Sequence, residues 1–534
     1  MAARLFLFSD TQIHHLFGKR TFAQSPFADR MSFEVAVRPA ALDDGADLIL
    51  AAFLAERRDH YPRYQPLFLG DAADISCTEE FDAFADVVRR GGALPLLTVT
   101  SNHDGYFVGN FTSRADLDGK LAATDLPDDW LRACAEPGSF DDHRLTKGRA
   151  VGRLLAMLPD APPWATSSSW EGSEGPQDYR RVHLYDVRPL GGGDAGAPAI
   201  WGVFLDTVDY DELDLTRTEG AGRVGAVSRR QLRFLDRAMF EARAAGAAYF
   251  VVFGHHPVDE LDRHSREQLL RFFDVRPEIL GYVTAHTHSP FERHQLLPGG
   301  RVLPELIVGS TTDMPNAGAL LEVHVDSAGR RASLATWRLL LDREQMCADV
   351  PPLEPTALGY TGYRILRDNE PDPEIGSVDK LLFATGFSEL ERQRNLLTVG
   401  ALLVENELVR AWADLHLRAP DGGGADAGLL RGIVDRRFAA GAGFAAVRPW
   451  LEGRAQPGKL GPWDVWWDPV VAHVARVAAA GLHGFAPHAD AFRRLRDRRT
   501  ATPTLEHWFL CHALHAAAAE DRRPRRSGNV LYIR

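Results

Sequence analysis

Cysteine is scarce and unpatterned in this sequence. Its four cysteines, Cys77, Cys134, Cys347 and Cys511, are scattered with no paired spacing. That argues against a disulfide framework and makes a reducing cytoplasm the expected location. Long apolar runs are missing too. No stretch reaches the about 18 consecutive apolar residues of a membrane-spanning helix, so no membrane partner is expected. The apolar run near the start, Leu5–Phe8, is too short for a signal peptide and reads as a first core strand. Excess positive charge is also lacking. A formal charge of −12 disfavours non-specific binding to nucleic acid or an anionic membrane, while leaving room for a local basic patch. Internal repeats are absent.

What is present is a long chain of ordinary globular composition. Its 534 residues exceed one ordinary core, so two domains or more are expected. Short apolar runs alternate with helical patterns. Leu5–Phe8, Leu67–Leu69 and Leu94–Val99 read as strands, separated by helices around 47–55 and 80–88. Later strands fall at 199–205, 249–253, 279–283 and 306–308, with a helix near 228–245 and a closing hairpin at 319–325 and 332–339. That order predicts an α/β sheet system with functional groups at strand carboxyl ends. Residues 105–196 break the rhythm with Gly, Pro and Ser and read as an insertion, a candidate lid over the site. Prolines between 351 and 373 mark a linker over 343–375, and residues 376–534 read as a helical C-terminal domain. There His507, Cys511 and His515 form a helix stripe that reads as packing rather than a zinc site.

Polar turns end several of the strands, and they carry chemistry. Asp10, Asp71, Asn102, His255, His286 and His288 all stand at such ends. Carboxylates, an amide oxygen and imidazoles suit Mn, Fe or Zn, and the set is large enough for two ions. Asp71 could bridge them, since each carboxylate oxygen can bind one ion. Beside Asn102, His103 can give or take a proton, and Asp104 could orient it.

The ordered set Asp10, Gly70-Asp71-x-x-Asp74, Asn102-His103-Asp104, Gly254-His255-His256-Pro257 and His286-x-His288 resembles the calcineurin-like metallophosphoesterase family. The resemblance implies an α/β (α+β) fold of four layers, two packed β-sheets flanked by helices, over residues 1–342. It implies two metal ions, one held by Asp10, Asp71 and His288, the other by Asp71, Asn102, His255 and His286. His103 would be the acid that protonates the leaving oxygen, with Asp104 behind it. Three departures stand out. Position 12 is Gln where the family usually has His; Gln12 keeps the spacing and is the preferred ligand, with His14 the alternative. Ser101 and Ala285 replace glycines, and both are small. Asp74 stands where purple acid phosphatases carry a metal-binding tyrosine. His256 reads as a substrate contact or an outer-shell group rather than a ligand.

The expectation is a metal-dependent phosphohydrolase, a phosphomonoesterase or phosphodiesterase acting on a small phosphate ester. Its rivals are a nuclease of the same family, which the net charge disfavours, and a non-catalytic scaffold, which the nearly full ligand set disfavours.

Overall fold

A computed structural model describes residues 2–13, 45–74, 76–105, 143–171, 181–191, 193–194, 199–210, 224–313, 315–326, 331–348, 511, 514 and 526–533. The chain begins with β1 (Ala3–Phe8), α1 (Ala46–His60), β2 (Gln65–Phe68), α2 (Thr78–Arg90), β3 (Leu97–Thr98) and α3 (Lys147–Met157). It continues through β4 (Thr166–Ser169), β5 (His183–Pro189), β6 (Ala199–Phe204), α4 (Arg229–Ala244), β7 (Ala247–Phe253), α5 (Arg263–Asp274) and β8 (Ile279–Thr284). Last come β9 (Phe291–Leu296), β10 (Val302–Ile307), β11 (Ala317–Val325), β12 (Ala332–Leu340), α6 (Arg343–Met346) and β13 (Arg526–Ile533).

The strands form two mixed sheets. One has the order β13-β12-β11-β1-β2-β3, the other β4-β5-β6-β7-β8-β10-β9. β1, β2 and β3 run parallel, as do β6, β7, β8 and β10. Parallel neighbours need long crossovers, and α1, α2, α4 and α5 supply them.

Side-chain alternation along the strands dictates the layering. In β1, Leu5 and Leu7 face the other sheet, while Phe6 and Phe8 face outward. The inner core joins Leu5, Leu7, Leu67 and Leu321 to Val251, Phe253, Leu280 and Leu306 of the second sheet. Phe6, Phe8 and Phe68 pack outward on Ile49 and Phe53 of α1 and Phe81 and Phe84 of α2. On the far side, Val203, Phe250 and Val252 pack on Leu235 and Met239 of α4 and Leu269 of α5. Both faces of each sheet are therefore buried, which is why their central strands read as continuous apolar runs. Each fully buried Leu or Phe contributes about 1.5–3 kcal/mol.

Two expectations need correction. Residues 143–171 and 181–191 do not form part of a lid. α3 adds Val151 and Leu154 to the outer core, and β4 and β5 extend the second sheet. The buried strand β5 was illegible because it carries Asp186 and Arg188, which pair with each other inside the protein. Residues 106–142, the rest of the expected lid, lie outside the described residues, as does His14.

The second correction concerns cysteine. Cys347 and Cys511 form a disulfide across 164 residues, and Cys77 is disulfide-bonded as well. Such a pairing leaves no local spacing to read. Disulfides persist in oxidising surroundings, so the expected reducing compartment loses its basis. The pairing also removes Cys511 from any zinc-binding stripe. Residues 349–510, most of the expected linker and helical domain, lie outside the described residues. Residues 526–533, expected within that domain, pair as β13 with β12. No helix among the described residues is long and apolar enough to cross a membrane.

A cross-link that closes so long a loop restricts the unfolded chain. Replacing both Cys347 and Cys511 by Ser should lower stability by about 2–4 kcal/mol, read as an earlier urea midpoint in the non-reduced protein. An unchanged midpoint would show that the cross-link adds nothing.

Candidate metal centre

The five motifs converge where the carboxyl ends of the parallel strands meet across the inner core. Asp10 and Gln12 follow β1, Asp71 follows β2, and Asn102 and His103 follow β3. From the other sheet, His255 and His256 follow β7, and His286 and His288 follow β8. Asp10, Gln12, Asp71, His255 and His256 are wholly buried, Asn102 and His103 nearly so. His286 and His288 keep some exposure.

The backbone turns sharply at each motif. Asp10, Gln12, Asp71, His286 and His288 all have positive φ, between 38° and 70°. Asp and His tolerate this region better than most side chains, and such conformations gather at functional sites. Gly70, at φ 100°, has a further reason to lack a side chain. A Cβ there would lie 2.5 Å from the Cβ of Ser101 and 2.9 Å from Nδ1 of His255.

Asp71 is the hub. Its Oδ1 accepts the backbone N–H of His103 at 3.1 Å. Its Oδ2 lies 3.3 Å from Nε2 of His255, 3.5 Å from Nε2 of Gln12 and 3.8 Å from Nε2 of His103. Asp10 forms a second centre, with Oδ1 3.4 Å from Nε2 of His288 and Oδ2 accepting the backbone N–H of His286 at 3.3 Å. Two groups of donor atoms result, each within 4.8 Å: Asp10, Asp71 and His288 in one, His255, His256 and His286 in the other. The first is the trio that the family resemblance implies for one ion. In the second, His256 joins two of the implied ligands, while Asn102 lies on the turn after β3.

Several supporting groups were not legible. His288 passes its Nδ1 to the carboxylate of Asp313. Asp313 lies in Ser310-Thr311-Thr312-Asp313, a polar turn after β10, and the same strand-end signal would have found it. The ring of His103 is oriented by the backbone carbonyl of Asp74, which Nδ1 meets, and not by Asp104 as expected. Asp104 instead accepts the backbone N–H groups of Ala72, at 3.1 Å, and Ala73, at 3.0 Å, and the hydroxyl of Ser101 at 2.8 Å. Ser101 in turn accepts the backbone N–H of Asp71 at 2.6 Å. Its hydroxyl, which a family glycine would lack, thus links Asp104 to the hub.

The fit to metal rests on buried polar atoms that the protein satisfies poorly. Among the described residues, Oδ1 of Asn102 is buried with no hydrogen-bond partner, and Oδ1 of Asp10 and Nε2 of His255 are buried with only longer charged neighbours, His288 at 3.4 Å and Asp71 at 3.3 Å. Each such atom costs about 1–3 kcal/mol, and native proteins seldom gather several at one point. Carboxylate, amide and imidazole donors are what Mn, Fe or Zn accept.

Protonation tells the same story. Burial would raise the pKa of Asp71, but the imidazoles of His255 and His103 outweigh it and hold the carboxyl well below its usual range. Burial would lower His255, yet Asp71 lifts it to about 9. His288 is likewise lifted to about 10, by Asp313 and Asp10. Burial and neighbouring imidazoles push His256 and His286 well below the usual value. In the metal-free protein, protons on His255 and His288 therefore balance the buried carboxylates.

Metal must displace those two protons. Loading at pH 7–8 should therefore release about two protons per protein, and affinity should rise with pH up to about 10. Calorimetry in buffers of different ionisation enthalpy counts the protons, and no release would contradict the assignment. Asp104 is a brace. Asp104→Ala strips acceptors from three buried donors and should cost about 2–4 kcal/mol of folding stability. Asp104→Asn keeps an acceptor oxygen and should cost clearly less by chemical denaturation; equal losses would argue against the brace.

No protein-family model and no curated protein sequence matches the chain. Among solved structures it is similar to the sulfate thiohydrolase SoxB of Thermus thermophilus, in complex with glycerol, at 14% identity and a TM-score of 0.31. That match covers 60% of this chain and 53% of SoxB, so the chain spans about half the length of that protein. It is also similar to the calcineurin-like phosphoesterase YfkN from Bacillus subtilis, at 10% identity and a TM-score of 0.28, over 64% of this chain and 86% of YfkN.

Proposed function

We propose that the protein is a metal-dependent phosphohydrolase, a phosphomonoesterase or phosphodiesterase with a dinuclear centre. The observation that carries this reading is the set of buried, poorly satisfied polar atoms on Asp10, Asn102 and His255, gathered on the strand ends that also carry Asp71. Asp10, Gln12, Asp71 and His288 would hold one ion, and Asp71, Asn102, His255 and His286 the other. When bound, Mn, Fe or Zn would supply Lewis acidity towards a phosphoryl oxygen and make water nucleophilic near neutral pH.

The remaining chemistry belongs to the chain. Buried carboxylates and imidazoles on fixed strand ends would hold the ions in one place, with little reorganisation during reaction. His103 is anchored through Nδ1 by the carbonyl of Asp74, which leaves Nε2 facing Gln12 at 3.2 Å. Nε2 is therefore the atom that delivers a proton to the departing ester oxygen.

His103 also supplies the test. An alkoxide needs that proton as its bond to phosphorus breaks, whereas a nitrophenolate needs almost none. In protein supplied with Mn, Fe or Zn, His103→Gln should slow an alkyl ester by about 10²–10⁴ and a nitrophenyl ester much less. Metal content is checked in both proteins. Equal losses would remove the general-acid role, and no hydrolysis of either ester by metal-loaded wild type would remove the function.

A further inference from the structure

We propose that His256 binds substrate, donating a hydrogen bond from Nε2 to a phosphoryl oxygen in a tautomer set by Thr207; this rests on the phosphohydrolase reading above. Proximity alone would make His256 another ligand. Its ring centroid lies 5.0 Å from that of His255 and 4.2 Å from that of His286. Hydrogen-bond accounting points elsewhere.

Thr207 is wholly buried. Its hydroxyl oxygen accepts the backbone N–H of His256 at 3.2 Å and lies 2.9 Å from Nδ1 of the same residue. A hydroxyl has one proton to give. Among the described residues, the only acceptor beside it is Nδ1 of His256. The opposite arrangement, with Nδ1 as donor, would leave a buried hydroxyl proton without an acceptor. Thr207 therefore donates, Nδ1 accepts, and the proton of the neutral ring sits on Nε2.

That atom is buried and, among the described residues, has no hydrogen-bond partner. An Nε2–H has no lone pair for a metal; what it lacks is an acceptor. A phosphoryl oxygen held between the two sheets would be one.

Thr207 cannot easily swing away. Its carbonyl accepts the backbone N–H of Ala226 at 2.7 Å. On either side of it, buried Lys147 reaches Asp206 at 2.9 Å and the carbonyl of Val208 at 2.8 Å. The turn bearing His256 is held as well, because the hydroxyl of Tyr282 donates to the His256 carbonyl at 2.7 Å. Thr207 is thus a positioning residue and His256 the group that meets substrate.

The test uses full-length protein loaded with Zn and inorganic phosphate as the probe. Calorimetry measures Zn and phosphate affinity separately for wild type, His256→Ala, Thr207→Val and Thr207→Ser. His256→Ala and Thr207→Val should keep Zn affinity and weaken phosphate binding roughly 10- to 100-fold, the worth of a hydrogen bond to a charged group. Thr207→Ser, which restores the hydroxyl, should recover phosphate binding. A ¹⁵N-histidine spectrum of the Zn-loaded wild type should show His256 protonated at Nε2. Loss of Zn affinity in His256→Ala would make it a ligand and overturn the proposal. Unchanged phosphate affinity in Thr207→Val would do the same even if His256→Ala fails to fold. Wild type that binds neither Zn nor phosphate would overturn the phosphohydrolase reading itself, and the proposal with it.

Discussion

The carboxylate of Asp71 is the point on which the site and the fold both depend. A charged group with no solvent exposure is costly unless opposite charge and hydrogen bonds surround it. Here the surroundings come from both sheets. The backbone of His103 belongs to the turn after β3 of the first sheet, and the imidazole of His255 to the turn after β7 of the second. Asp10, beside Asp71 in the first sheet, meets His286 and His288 in the same way. The apolar inner core presses the sheets together, and the polar turns above it must then neutralise one another. Packing and chemistry are two ends of the same interface.

A second tier of polar groups keeps this cluster in register. Asp104 and Ser101 brace the turn after β2, Asp313 backs His288, and Thr207 backs His256. Each of these bonds links turns distant in sequence. Positive φ at five site residues fits the same account. Local cost is borne where tertiary contacts over-determine the conformation.

The two ends of the chain share the first sheet. β1 lies near its centre and β13 at its edge, on the outer side of β12. The Cys347–Cys511 disulfide fastens residues from either side of the long C-terminal region to the outer core beside α1 and α2. Division of the chain at the proline-rich stretch is therefore incomplete. Beyond the prolines, the chain returns as β13 to finish the sheet that it left after β12.

Much of this architecture is legible along the chain. Strand ends carrying Asp10, Asp71, Asn102, His255, His286 and His288 are visible because continuous apolar runs announce doubly buried strands, and polar residues at their ends break the run. Those runs depend only on composition within a few residues. The helices α1, α2 and α4 are visible for the same reason. By itself, then, the sequence determined the central strands, their helices and the residue types that meet above them. Tertiary structure alone decided the rest. β5 hides its burial behind an internal Asp186–Arg188 pair, β13 lies far from its partner strand, and Cys347 finds Cys511 across 164 residues. The orienting partner of His103 proved to be the carbonyl of Asp74, and every residue has a carbonyl, so no residue type could mark it. Which turn faces which is settled by how two twisted sheets pack, and that is a property of the whole core rather than of any window along the chain.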